Sequence, residues 1–371
     1  MSIDTTNAIL PRVRAFLQNQ PHPLFIGGKF VPSISGKTFA TMDPARDEKL
    51  ADVYEAGPED IDAAVLAAEK AFAGRWHTLT PSERGRIIWR LADLMEEHAE
   101  ELAQLETLDN GKPIRESRNA DVPLAIDHFR YYAGWATKLS GEVINNSVGP
   151  NMLTYTHHEP VGVVGQIIPW NFPLLMAAWK LGAALATGNV VVLKPAEQTP
   201  LSALYLAHLI QEAGFPDGVI NIVPGFGEIA GQAMVHHPRI RKIAFTGSTE
   251  IGKLIMRQAA DNVKRVTLEL GGKSPNIVFD DADLSKAVPG AINSIFFNQG
   301  QVCDAGSRLF VHHKIFDKFI SEMTDYAKKL KQGPGLDEST EIGPLVSKEG
   351  YADFMMDRWL LIPKRCQHVW C

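Results

Sequence analysis

The chain has 371 residues, of which 45% are hydrophobic and 22% charged, and its formal net charge is −6. This length and composition predict a globular protein with two or more packed domains. The acidic balance argues against a nucleic-acid or anionic-membrane surface, because both attract clustered Lys and Arg, so a small molecule is the expected ligand.

The number of cysteines and the lack of a long apolar run predict the cellular compartment of the protein. No apolar run reaches the roughly 18 residues of a membrane span, and the amino terminus has no basic segment followed by an apolar core. The three cysteines are Cys303, Cys366 and Cys371, so nothing upstream could pair with Cys303 in a disulfide framework. These features predict a cytoplasmic protein with no membrane partner.

The first 140 residues predict short strands followed by amphipathic helices. A hairpin is expected over residues 24–31 and an Ala-rich helix from Pro58 to about Phe72. A longer helix is expected from Pro81 until the pair at residues 110–111 stops it, because leucines recur there at helical spacing. These helices are expected to be packing surfaces.

From residue 161 apolar strands alternate with helices. Strands are predicted at residues 161–168, 190–193, 219–223 and 242–245, and helices at residues 173–186, 201–213, 229–235 and 250–259. Strands this continuously apolar, each followed by a helix, form a parallel sheet covered on both faces, and ligands bind beyond the carboxyl ends of its strands. The loops at residues 169–172, 194–197, 224–227 and 246–249 are therefore expected to line one cleft.

A second α/β unit is predicted to begin near residue 270. Its strands are expected at residues 276–279 and 308–312, and its helices at residues 287–297 and 316–330. Cys303 follows the first of these helices, in a loop that contains glycine and glutamine. A lone cysteine is more often a buried apolar residue, but a thiol in such a loop can be presented to a ligand.

Several motifs occur in an order that resembles the NAD(P)-dependent aldehyde dehydrogenase superfamily. The matching positions are Asn171, Lys194, Glu197 and residues 247–252, 269–273 and 300–303. The resemblance covers residues 20–355, and residues 169–174 are similar to phenylacetaldehyde dehydrogenases and other broad aldehyde dehydrogenases. It implies a Rossmann-type parallel-sheet cofactor domain plus an incomplete second α/β catalytic domain, with NAD as the cofactor and an aldehyde as the substrate.

The resemblance assigns the first chemical steps to two residues. Cys303 would attack the aldehyde as a thiolate, because a bare aldehyde has no tetrahedral alkoxide able to expel hydride and the thiohemiacetal supplies one. Asn171 resembles the side-chain donor to the oxyanion that forms, and the backbone N–H of Cys303 would be the other donor. On its residues alone, Asn171 is better interpreted as a turn residue that caps a helix beginning at Pro173.

Glu269 resembles the base that activates the water for thioester hydrolysis. Its neighbours Leu268 and Leu270 predict an apolar site that raises its pKa, and the alternative is a strand-end carboxylate paired with Lys273. Lys180 resembles a position that supports the site, although by itself it reads as solvated helix surface.

The cofactor residues follow from the loops and from the resemblance. Residues 247–252 join a strand to a helix whose N–H groups can hold a pyrophosphate, and Glu197 would accept from ribose hydroxyls and favour NAD over NADP. The alternative for Lys194 and Glu197 is an exposed ion pair. The predicted cofactor residues are Ile168, Pro169, Trp170, Lys194, Glu197, Gly227, Phe245, Gly247, Ser248, Gly252, Leu270 and Gly271.

No metal site is predicted, because the paired histidines at residues 157–158 and 236–237 diverge on a strand or helix. The expected division is a cofactor domain at residues 1–269, a partial catalytic domain at residues 270–355 and an aberrant or divergent tail at residues 356–371. A hairpin near residues 140–160 is expected to serve oligomerisation.

Members of the family continue well past residue 371, so the chain is expected to be truncated at its carboxyl end. The absent parts would include a Glu and Phe pair at the nicotinamide ribose and a segment that joins subunits into a homo-oligomer. Two alternatives therefore stay open: an NAD-dependent aldehyde dehydrogenase, and a catalytically impaired fragment that retains at most dinucleotide binding.

Overall fold

The computed structural model describes residues 9–149 and 151–352, which contain helices and a largely parallel sheet. The helices are α1 (Pro11–Gln18), α2 (Pro58–Ala73), α3 (Arg75–Thr78), α4 (Pro81–Glu97), α5 (Ala99–Asn110), α6 (Ile114–Glu116), α7 (Val122–Trp135), α8 (Pro173–Ala186), α9 (Leu201–Ala213), α10 (Gln232–His236), α11 (Thr249–Ala259), α12 (Leu284–Phe296) and α13 (Phe316–Ala327). The strands are β1 (Leu24–Ile26), β2 (Lys29–Val31), β3 (Thr38–Asp43), β4 (Glu48–Tyr54), β5 (Val143–Ile144), β6 (Thr154–Tyr155), β7 (Val163–Ile167), β8 (Val190–Lys194), β9 (Ile220–Ile222), β10 (Lys242–Gly247), β11 (Arg265–Leu270), β12 (Pro275–Val278) and β13 (Arg308–Val311). Short π-helical turns cover Ser117–Asp121 and Gly227–Gly231, and 3₁₀ turns cover Ala260–Asn262 and Phe297–Gly300.

The central sheet has seven strands in the order β11-β10-β7-β8-β9-β1-β2. Strands β7 to β11 are parallel, and the predicted hairpin β1–β2 joins their edge antiparallel through Phe25 and Ile222. The chain runs from β7 outward to β9 on one side, and β10 and β11 lie on the other side. A topological switch point therefore lies between β7 and β10, where an open α/β sheet binds its ligands. The predicted α/β fold with a parallel sheet is confirmed.

The three strands of the long side of the sheet are buried at every position. Most of their residues are apolar because helices cover both faces of the sheet, so neither face contacts water. Trp76 illustrates the packing: its side chain is fully buried and its indole N–H donates to the carbonyl of Asn189 at 3.0 Å. A rigid core of this kind fixes where the loops at the carboxyl ends of the strands lie.

The long helix predicted from Pro81 to residue 110 is wrong, because the structure has two helices. Helix α4 ends at Glu97 and α5 begins at Ala99. At the junction His98 has φ −110° and ψ 23°, and its Nδ1 lies 2.9 Å from the hydroxyl of Tyr205. Both helices bury leucines at helical spacing, so the apolar pattern continues across a break of one residue.

A smaller α/β unit follows the central sheet. Strands β12 and β13 pair in parallel, and α12 and α13 pack on them around a second core of Val278, Val288, Ala291 and Phe319. The antiparallel pair β5–β6 forms the predicted hairpin near residues 140–160, and its role in oligomerisation stays a prediction. The predicted domain limits also stay predictions, and residues 356–371 lie outside the described residues. Within the described ranges, no helix is both long and apolar enough to cross a membrane.

Candidate active site

A cavity of about 370 Å³ lies at the switch point, beyond the carboxyl ends of β7 and β10. Its volume falls within the range of about 300–1,000 Å³ that is typical of small-molecule sites. The predicted cofactor residues that line it are Ile168, Pro169, Trp170, Lys194, Glu197, Gly227, Phe245, Gly247 and Ser248. Ile251, Leu254 and Ile255 also line it and were missed, although their spacing on one face of α11 is a signal that could have identified them.

Three predicted cofactor residues lie outside the lining of this cavity. Gly252 and Leu270 face each other: a Cβ added to Gly252 would lie 2.6 Å from Cδ2 of Leu270. Glycine at this position therefore lets α11 approach β11. Gly271 is exposed beyond the end of β11. A cofactor role for these three residues stays a prediction.

Lys194 and Glu197 form a partly buried pair, so the alternative of an exposed ion pair is wrong. Lys194 is only 3% exposed, because β8 lies inside the sheet. Its Nζ donates to the carbonyls of Pro195 at 3.0 Å and Gly225 at 2.6 Å and to Oε2 of Glu197 at 3.2 Å. Burial lowers the pKa of Lys194, and the charge of Glu197 opposes that shift. The carboxylate of Glu197 is thereby fixed at the wall of the cavity.

The amino end of α11 lies at the same cavity. Ser248 is its N-cap, and the Ser248 Oγ accepts from the N–H of Ile251 at 3.2 Å. Backbone N–H groups in the first turn of a helix favour an anion, so this end of the cavity suits a phosphate group.

Asn171 connects the cavity wall to the loop that carries Cys303. Its side-chain Nδ2 donates to the carbonyl of Gln301 at 2.9 Å. The alternative of a helix cap is wrong, because the N-cap of α8 is Phe172 and the N–H of Leu174 is bonded to the carboxylate of Glu106. Asn171 therefore has no capping role, and its side chain bonds to a residue that lies two positions before Cys303.

The loop before Cys303 has an unusual backbone. Asn298, Gln299 and Gly300 have φ of 47°, 57° and 79°, a left-handed conformation that only glycine adopts without cost. Two contacts hold the loop in this shape: the N–H of Asn298 donates to Oε2 of Glu116 at 3.0 Å, and the N–H of Val346 donates to Oε1 of Gln301 at 3.0 Å. Strained backbone that its surroundings fix in this way is typical of functional sites.

The thiol of Cys303 is exposed, as a nucleophile requires. Partial burial raises the pKa of Cys303, and the charges of Asp304 and then Glu269 act in the same direction. Hydrogen bonds from the backbone N–H groups of Cys303 and Asp304 oppose this shift, but the net effect of the surroundings favours the protonated thiol over the expected thiolate.

The apolar surroundings predicted for Glu269 are wrong. Successive side chains of a strand point to opposite faces, so Leu268 and Leu270 lie partly buried on one face while Glu269 is exposed on the other. Helix α11 packs on the face that carries the leucines, and no described helix packs on the other face to a comparable extent. The alternative pairing with Lys273 is also wrong, because the Nζ of Lys273 donates to the carbonyl of Gly272 at 3.4 Å.

Lys180 interacts with Glu269 and is not the solvated surface residue that its sequence position suggests. Both residues line a second cavity of about 450 Å³, and the Nζ of Lys180 donates to Oγ1 of Thr246 at 2.7 Å. Burial lowers the pKa of Lys180 to about 8, and the charge of Glu269 opposes this shift. The described residues contain no group of three His, Cys, Asp or Glu placed to hold a metal ion.

Comparison with known proteins identifies the family to which this site belongs. Residues 30–356 match the aldehyde dehydrogenase family. The chain is 64% identical over 345 residues to the aldehyde dehydrogenase homologue DhaS of Bacillus subtilis, a match that covers 93% of the chain and 69% of DhaS. The chain belongs to the aldehyde dehydrogenase family. The predicted family is confirmed, and the finer similarity to phenylacetaldehyde dehydrogenases stays a prediction.

Other aldehyde dehydrogenases match at similar coverage. The mitochondrial aldehyde dehydrogenase of Rattus norvegicus is 54% identical over 328 residues, which cover 88% of the chain and 63% of that protein. The NAD⁺ complex of the aldehyde dehydrogenase of Bacillus cereus superposes with a TM-score of 0.92 at 55% identity and covers 95% of the chain and 72% of that structure. The chain thus spans about two thirds of the length of the curated relatives it matches.

Proposed function

We propose that the chain oxidises an aldehyde to a carboxylic acid with NAD, through a covalent intermediate on Cys303. One observation carries this proposal. A single loop, residues 169–172, lines the switch-point cavity with its first two residues and bonds to the carbonyl of Gln301 through Asn171 at 2.9 Å. Residues 169–172 therefore connect the cofactor cavity to the loop that carries the exposed thiol of Cys303.

The residues of the cavity fit NAD. The amino end of α11 suits the pyrophosphate, the carboxylate of Glu197 suits ribose hydroxyls, and the apolar side chains of α11 suit a planar ring. The NAD⁺ complex of the Bacillus cereus relative supports the same cofactor. When bound, NAD supplies a hydride acceptor. The negative charge of Glu197 opposes a 2′-phosphate, so we expect NAD to be preferred over NADP.

Cys303 and Asn171 carry out the first step. The thiol releases its proton to solvent, the sulfur attacks the carbonyl carbon, and the carbonyl oxygen becomes an oxyanion. The Nδ2 of Asn171 would turn from the carbonyl of Gln301 to this oxyanion, which is a stronger acceptor. Loss of hydride from the tetrahedral carbon then converts the adduct to a thioester on Cys303.

Glu269 and Lys180 serve the second step. Glu269 accepts a proton from a water molecule while the water oxygen attacks the thioester carbon. The C–S bond then breaks, which releases the acid and returns Cys303. The exposed position of Glu269 gives water access to it, and Lys180 holds a positive charge beside the carboxylate.

We propose an aromatic aldehyde such as phenylacetaldehyde as substrate. The similarity of residues 169–174 to phenylacetaldehyde dehydrogenases supports this choice. The partly buried ring of Phe297 also stacks on the buried ring of Phe172 beside the Cys303 loop, with centroids 6.0 Å apart, and supports an aromatic ligand there.

The test is product formation by the purified chain with NAD and phenylacetaldehyde, with acetaldehyde in parallel. NADH is measured by absorbance and phenylacetic acid by chromatography. We expect equal amounts of NADH and acid, and faster turnover of the aromatic aldehyde. NAD binding without acid would contradict the proposal and favour the alternative of a fragment that only binds dinucleotide.

A further inference from the structure

A buried cluster of charged side chains between the end of α5 and the start of α7 lies behind the active-site loops and has no part in the chemistry above. Lys112 is fully buried, and Glu106, Glu116 and Asp121 are each at most 9% exposed. Burying an ammonium group is costly unless several partners compensate it, so its position is tightly determined by those partners.

The partners of Lys112 lie on two sides. Its Nζ bonds to Oδ2 of Asp121 and lies 3.9 Å from Oε1 of Glu106. On the other side it donates to the main-chain carbonyl of Asn171 at 2.9 Å and lies 4.2 Å from the centre of the Phe172 ring. Lys112 therefore ties the helices to the loop at residues 169–172.

The carbonyl of Asn171 is a point of convergence. Besides Lys112, it accepts from Nδ2 of Asn298 at 2.8 Å and from Nδ2 of Asn110 at 3.5 Å. Asn110 also donates to the carbonyl of Trp170 at 2.9 Å. The main chain of Asn171 is thus fixed from behind, while its side-chain amide points at the Cys303 loop.

We propose that Lys112 is a positioning residue for aldehyde oxidation: it fixes the carbonyl of Asn171 and thereby the place of the Asn171 amide relative to Cys303. The inference rests on the proposed role of Asn171 as oxyanion donor. A misplacement of about 1 Å in such a donor costs on the order of a hundredfold in rate.

The kinetic test uses the double variant Lys112→Met with Asp121→Asn, which removes the ammonium together with the charge of the carboxylate that it bonds to directly. We expect the single-turnover rate of NADH formation to fall about 10- to 100-fold, with the KM for the aldehyde and the Kd for NAD within about twofold. Asp121→Asn alone keeps the bond from Lys112 to Asn171 and should retain most of the rate.

A double-mutant cycle with Asn171→Ala distinguishes a positioning role of Lys112 from a general loss of structure. If Lys112 acts through Asn171, the double variant should change the rate by less than about twofold once Asn171 is already Ala. The proposal would be overturned if the double variant lowered the rate equally in the chain with Asn171 and in the Asn171→Ala variant. It would also be overturned if the double variant left the rate unchanged in the chain with Asn171. Asn221→Ser is the matched control, because Asn221 is a fully buried amide that bonds to main-chain carbonyls far from the loop.

Hydrogen exchange gives a readout that does not depend on turnover. We expect exchange to rise at least about threefold at residues 170–172 and 298–303 in the double variant, and to stay unchanged at residues 246–252. If the unaltered chain makes no acid, the proposed function fails. The hydrogen-exchange measurement still decides whether Lys112 fixes the loops at residues 170–172 and 298–303.

A second variant covers a failure of the double variant to fold. Lys112→Gln leaves Asp121 in place and replaces the ammonium by an uncharged amide one bond shorter, so the bond to the carbonyl of Asn171 is weakened. Exchange at residues 170–172, away from the substitution, should rise again. Unchanged exchange at these residues would overturn the proposal.

Discussion

The cofactor cavity and the Cys303 loop adjoin each other but are stabilised differently. The cavity lies at the ends of β7, β8 and β10, of which β7 and β8 are buried at every position, and the charge of Lys194 is held there by three hydrogen bonds. Cys303 and Glu269 are both exposed, on a strained loop and on an edge strand. The binding half of the site therefore depends on the apolar core, whereas the reactive half depends on polar contacts to main-chain groups. Changes in one half should leave the other largely intact.

Cys303→Ala should have the largest effect, and only on the reactive half. We expect aldehyde turnover to fall by at least about 10⁴-fold, because the described residues contain no other cysteine to form the thioester. The Kd for NAD should stay within about twofold, and the free energy of unfolding within about 0.5 kcal/mol, because the side chain is exposed. A large loss of NAD affinity would contradict the independence of the two halves.

Lys194→Met should damage the binding half. It removes all three hydrogen bonds of the ammonium and leaves two buried carbonyls and Glu197 without their donor. We expect a loss of about 3 kcal/mol in the free energy of unfolding, measured in urea, together with weaker NAD binding. Lys273→Met is the control, since that side chain is exposed and bonds only to its neighbour's carbonyl. Similar losses in both variants would contradict the account.

Glu197→Gln should change coenzyme preference. Removing the carboxylate charge should narrow the difference in affinity between NAD and NADP by about 1 kcal/mol, the scale of a charge-assisted hydrogen bond. Fluorescence titration with both cofactors measures it. Glu228→Gln makes the same charge change at another residue of the cavity and should narrow the difference less. If both variants narrowed the affinity difference equally, the adenosine ribose would not lie against Glu197.

Asp304→Asn should have the smallest effect, which is a change in the reactivity of the Cys303 thiol. The carboxylate raises the pKa of Cys303, so its removal lowers that pKa and increases the thiolate fraction at neutral pH. We expect alkylation of Cys303 by iodoacetamide at pH 7.5 to become about two to three times faster, and less so at high salt. In both proteins the rate should rise with pH, since alkylation needs the thiolate. A slower rate in the variant would show that the sign of this interaction is wrong.

Much of the fold could be predicted from the sequence because its signals are local. Helices at residues 173–186 and 201–213 have the bounds that the apolar runs predict, since strands and helices buried on both faces carry continuous apolar sequence. The break at His98 was not predictable, because the pattern of buried leucines continues across it.

The candidate site was less predictable because it depends on which elements pack together. Leucine neighbours suggest burial of Glu269, but α11 packs only on the leucine face of β11 and leaves Glu269 exposed on the other. Lys112 shows the opposite: a charged residue after a helix reads as surface, and only the packing of α5, α7 and the Asn171 loop buries it.

The covalent intermediate on Cys303 is the central claim, and trapping it is the most direct test. The chain is mixed with NAD and phenylacetaldehyde, quenched in acid within the first turnover and digested for peptide mass spectrometry. We predict an acyl group on the peptide that contains Cys303, present only when both NAD and aldehyde were added and absent from Cys303→Ala. Acid and NADH formed with no acyl group on Cys303 at any quench time, or the group found on another residue, would contradict the account.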